Sequence, residues 1–163
     1  MPWKGDHPVP GALAMFGAAA LKDRVVLDYW NGAPAQVLVE NSAGTMWFAW
    51  NIDQAPQEGQ LWVYVHVVQS EADMLIDSPP SDLESWLLGE KCGERFFIGA
   101  SWAGELYLVL ETTVEKPAPG STFVGVITSL LAHALRQATA EATDSDQRAK
   151  LAAGRDALHL ASA

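Results

Sequence analysis

Four histidines, one cysteine and a group of carboxylates are the residues of this chain best suited to chemistry. His7, His66, His133 and His159 are scattered, with no pair at the short spacing a metal site takes. Neither His-Glu-x-x-His nor Cys-x-x-Cys occurs, so no metal and no other cofactor is expected. His66 sits in a strand-like run beside Trp62 and Tyr64. His133 lies on the polar side of a helical run, with Ser129, Arg136 and Gln137. Both read as structural or surface histidines. Cys92 has no histidine close in sequence to act as a base, and reads as a small residue near a helix end. Asp73, Asp77, Asp82 and Glu84 gather around Pro79-Pro80. Paired carboxylates can exchange protons or hold a cation. Solvated loop charge beside a helix N-terminus accounts for them as well, and is the favoured reading. The glycine-rich phosphate loops and the Gly-x-Ser-x-Gly elbow are absent. No catalytic residue is expected, and the chain reads as non-enzymatic.

Seven tryptophans are the unusual feature. Thr45 to Ile52 alternates, with Met46, Phe48, Trp50 and Ile52 on one side and Trp47, Ala49 and Asn51 on the other. Leu61 to Val68 repeats the pattern: Leu61, Val63, Val65 and Val67 face one way, and Trp62, Tyr64, His66 and Val68 the other. A period of two marks strands with two distinct faces. Trp47, Trp62, Tyr64 and His66 thus form a candidate binding face, since large aromatic patches mark interfaces. The alternative is that they form a second core layer.

The elements that position these residues follow in order. Pro10 can start an N-terminal helix with Leu13, Phe16, Ala20 and Leu21 on its apolar side. The stretch Val9–Ala20 also resembles a weak signal peptide, but Asp6, Pro10 and Gly11 favour a mature helix. Arg24–Trp30, Ala35–Glu40, Thr45–Ile52 and Leu61–Val68 read as strands joined by turns such as Asn31-Gly32. Gln69–Ser78 is acidic and irregular, with Met74-Leu75-Ile76 as a short strand or packed loop. Ser81 with Glu84 has capping-box spacing for a short helix over Leu83–Leu88 that stops at Gly89. Arg95–Trp102 and Glu105–Val114 form a hairpin turning at Ala103-Gly104. Ser121 or Thr122 then caps a long helix with Phe123, Ile127, Leu130, Leu131, Ala134, Leu135 and Ala138 at helical spacing.

Strands grouped between helices indicate an α+β fold. The expected architecture is an antiparallel meander sheet with an N-terminal helix, a short middle helix and a long C-terminal helix packed on one face. Residues 1–142 form one domain, and 143–163 form a helical, loosely docked extension. Composition sets further bounds. The net charge of −10 disfavours nucleic acid and anionic membrane surfaces. No stretch reaches the ~20 apolar residues of a membrane span. A lone cysteine allows no internal disulfide.

From Val9 to Ala140 this order resembles the type III secretion chaperone-like fold, shared by the class I secretion chaperones and the YbjN-like proteins. An amphipathic first helix, a strand meander, the Leu83–Leu88 helix ending at Gly89, the Ala103-Gly104 hairpin and a long closing helix carry the resemblance. It implies a non-enzymatic binding protein, often a homodimer, that holds a partner polypeptide or client peptide in the cytoplasm. Two other classes fit the periodicity. One is a cone-like α+β barrel of the nuclear-transport-factor-2 or START-like kind, an enzyme or small-ligand carrier with an aromatic pocket and polar groups such as Asp28 or His66. The other is an acidic immunity-type protein that neutralises a basic partner.

Overall fold

The alternating runs of the sequence become six strands: β1 (Lys22–Trp30), β2 (Ala33–Glu40), β3 (Met46–Asn51), β4 (Gly59–Val67), β5 (Arg95–Trp102) and β6 (Glu105–Thr113). The structure, a computed structural model, describes residues 22–30, 33–40, 44–52, 59–91, 93–102, 105–113, 119–120 and 122–157. Each strand pairs antiparallel with the next, so the order in space is the order in the chain. This is the expected α+β meander. The expected helix within Val9–Ala20 and the turns at Asn31-Gly32 and Ala103-Gly104 lie outside the described residues. Register keeps the alternation in phase across the sheet. Leu38 is opposite Phe48, Phe48 opposite Val65, and Val65 opposite Phe96. A slip of one residue would turn every one of these side chains to the opposite face.

The helices are α1 (Gln69–Asp77), α2 (Leu83–Trp86), α3 (Phe123–Glu141) and α4 (Ser145–Ala157). One core lies between the sheet and the helices. Leu38, Phe48, Val63, Val65, Phe96 and Ile98 of the sheet pack with Ala72, Leu75, Leu87, Phe123, Ile127, Leu131 and Leu135 of the helical layer. Phe123 is the contact point. Its ring stacks on Trp50 with centroids 6.0 Å apart and 10° between planes, and it meets Phe96 at 5.5 Å. The long helix therefore packs on one face of the sheet, as its spacing requires. The extension forms α4, which rests on α3 and buries Leu151 and Gly154, with its residues from 145 to 150 exposed. Arg148 Nη2 donates to the Ala142 carbonyl at 2.7 Å, a cation satisfying a carbonyl just past the end of α3.

Three local readings change. Gln69–Asp77 is a helix rather than a strand or loop. Its apolar side is short, Ala72 and Leu75 one turn apart, and the acidic residues around it hide the period. Glu71 supplies the start signal, accepting from the Val68 N–H at 3.1 Å. Gly89 does not stop the second helix. The chain continues as a π-helical turn, Leu87–Lys91, and ends through Gly93, whose φ of 94° is costly for any residue with a Cβ. Ser81 is not the cap of α2. Asp82 is, accepting from the backbone N–H of Ser85 at 3.3 Å and from its hydroxyl at 2.8 Å.

That last change frees Glu84 for a longer reach. Its Oε2 accepts from the Phe123 N–H at 3.1 Å, while Thr122 Oγ1 accepts from the Gly125 N–H at 3.0 Å. Two N–H groups left unpaired at the start of α3 are thus satisfied, one from within and one from another helix. Glu84→Ala is expected to lower stability by about 1–2 kcal/mol in urea unfolding, the cost of losing a part-buried cap. An unchanged midpoint would mean that Thr122 alone holds the end of α3.

Candidate functional site

The aromatic face is the first place to look. The ladder sets Trp47 opposite His66, Ala49 opposite Tyr64, and Asn51 opposite Trp62. Trp62 and Tyr64 stack with centroids 6.4 Å apart, and Trp47 meets His66 edge-on at 6.4 Å. The sequence-predicted set is therefore brought together on one face. Its exposure is uneven. Trp62 is 1%, Tyr64 0% and Trp47 7% exposed, in a second apolar cluster with Val37, Val39 and Ala49. His66 is exposed. Within the chain these three aromatics are core, and among the described residues the middle of the sheet, β2 to β4, is buried on both faces.

The carboxylates around Pro79-Pro80 are spread out, with Asp73 in the middle of α1 and Asp77 at its end, both exposed. Asp73 accepts from the Gln69 side chain at 2.9 Å. Asp82 caps α2, and hydrogen bonds from the Ser85 hydroxyl, then from the Ser85 backbone, hold its carboxyl below its ordinary value of 3.8. Glu84 caps α3. Among the described residues no group of three His, Cys, Asp or Glu side chains could hold a metal ion. Cys92, His7 and His159 lie outside the described residues. Asp28 and His133 are both exposed.

The Lys91 site has no signature in the sequence. Lys91 is 2% exposed at the end of the π-helical turn. Its Nζ donates to both oxygens of Glu71 at 3.1 and 3.0 Å and pairs with Glu94 Oε2 at 2.9 Å. Glu71 thus caps α1 and neutralises a buried ammonium at once. A charge this far from water needs that pairing, because desolvation otherwise exceeds what one contact returns. The signal was unreadable without the fold: Glu71 and Lys91 are twenty residues apart, and their meeting depends on α1 being a helix.

Among the described residues the larger concavities lie outside the core. Between the sheet and the helices, the space lined by Phe48, Trp50, Val63, Val65, Leu87, Phe96 and Phe123 is only about 10 Å³, the size of one water at most. On the outward side of α3 a groove of about 540 Å³ is lined by Thr122, Gly125, Val126, Ser129, Leu130 and His133. A second, of about 340 Å³, lies by α1 and α2 against Ser70, Glu71, Met74, Trp86 and Glu90. The α3 groove follows helical spacing, and its Ser129 and His133 are the polar-side pair visible in the sequence. Among the described residues no helix is long and apolar enough to cross a membrane. Comparison with protein-family models, curated proteins and solved structures found no match.

Two sets of variants test these assignments. If Trp62 is core, Trp62→Ala should cost roughly 3–5 kcal/mol while His66→Ala stays within about 0.5 kcal/mol, both read by chemical denaturation. Similar small losses would restore the aromatic set as a binding face. At the buried ammonium, Glu71→Ala should cost about 2–4 kcal/mol and Lys91→Met much less, because only the first leaves a desolvated charge short of a partner. The reverse order would show that Lys91 is hydrated.

Proposed function

We propose that this chain is a non-enzymatic, cytoplasmic binding protein of the secretion-chaperone-like and YbjN-like type, holding a partner polypeptide on its surface. One observation carries this reading. Among the described residues β2 to β4 carry packed side chains on both faces, and the larger described concavities lie along α3 and by α1 and α2. The meander order and the closing helix agree with the resemblance seen in the sequence. The binding surface is the α3 groove rather than the tryptophan face, because Trp47, Trp62 and Tyr64 are already covered within the chain. Half-buried Val126 and Leu130 give the groove apolar contact area, and Gly125 and Ser129 keep its floor open to a close-packed segment. A homodimer formed across the same groove belongs to this reading. A small-ligand carrier is less well served, since the space between sheet and α3 holds about 10 Å³ against the roughly 300–1,000 Å³ of ligand pockets.

Ser129→Trp tests the proposal by filling the groove from an exposed position. Wild-type protein is expected to elute as a dimer in light scattering, or to retain a polypeptide when purified from its native cell. The variant should lose either behaviour with its melting temperature unchanged. A strictly monomeric wild type that retains nothing would overturn the reading.

A further inference from the structure

We infer that the groove by α1 and α2 takes a basic segment of the partner polypeptide, an arginine or lysine side chain entering between Trp86 and Glu90. The inference rests on the partner-binding reading and names the chemistry of that partner. From Gln69 to Glu94 the chain carries seven acidic residues and one base, Lys91. Lys91 is 2% exposed and already engaged by Glu71 and Glu94, so it offers no positive charge at the surface. Glu90, which lines the groove, is exposed, and so is Glu94 beside Lys91. Glu71 and Glu94 share the single ammonium of Lys91, so that group keeps an excess of negative charge, and Glu90 adds a second carboxylate at the groove with no further base in this stretch.

The walls supply the second half. Trp86 and Met74 are half-buried, and Trp86 is fixed by its contact with Phe48 at 5.9 Å. A fixed indole beside a carboxylate suits a guanidinium or ammonium head, which gains from the ring as well as from the charge. The methylene stem of such a side chain would lie on the apolar wall. About 340 Å³ accommodates one long side chain and its flanking backbone, not a folded domain. At this groove a second copy of the chain, acidic overall, would set carboxylate against carboxylate, which favours a basic partner segment as occupant.

The test uses the full chain, with methionine methyls observed by NMR. The probe is an acetylated, amidated hexapeptide with arginine at alternate positions, compared with its citrulline counterpart of equal shape and no charge. The arginine peptide should shift the Met74 methyl saturably, and the citrulline peptide should not. Glu90→Gln should weaken binding by about fivefold, and the charge-matched Glu141→Gln on α3 by less than about twofold. Equal losses in the two variants would show attraction to net charge alone and overturn the inference. So would an unmoved Met74 methyl, or arginine amide binding as tightly as the peptide. None of these failures touches the α3 groove: a partner lost on Ser129→Trp but kept on Glu90→Gln leaves the parent reading standing and removes this one.

Discussion

Phe123 is the point at which the layers of this protein become one body. Its ring lies between Trp50 of β3 and Phe96 of β5, and its backbone N–H is held by the carboxylate of Glu84. Apolar contact fixes the depth of α3 over the sheet, and the hydrogen bond fixes where the helix begins. Neither does both. Apolar packing has no direction, and a lone cap would leave an exposed helix of this length marginal. With both in place, Ile127, Leu131 and Leu135 follow along the same side and close the core.

The sheet was legible because its signal is local and redundant. Met46–Asn51 and Gly59–Val67 alternate cleanly enough that every face assignment along them follows from period two. Thr122 at the head of α3 was legible for the same reason, since a cap and an apolar period reinforce each other. Gln69–Asp77 was not. Two buried positions, Ala72 and Leu75, set against three acidic ones give too short a stripe to read as a period. The caps of Asp82 and Glu84 were open to misassignment because Ser81, Asp82 and Glu84 all have capping side chains within one turn. Only the direction of approach of α3 decides which is used.

The candidate site divides along the same line. The aromatic set was correctly placed on one face by alternation, but exposure is a tertiary quantity, and three of its four members are buried. The Glu71–Lys91–Glu94 linkage was beyond reach, since it needs a helix, a π-helical turn and a strand start to converge. The functional reading rests on geometry: a packed middle of the sheet and grooves along α3 and by α1 and α2.

The nearest-neighbour order of the six strands carries a consequence for how the chain reaches its native state. Most strands meet the next across a short connection, so loop closure there costs little, while β4 and β5 join across the longer segment that holds α1 and α2. The helical layer is different. The contact of Glu84 with Phe123 spans thirty-nine residues and encloses the whole β5–β6 hairpin. Pairing of β5 with β6 shortens the path between the two residues, so the contact closes at lower entropic cost once the hairpin has formed. Docking of α3 is therefore a late event in assembly, and until it happens the row Leu38, Phe48, Val65 and Phe96 stands open on the growing sheet.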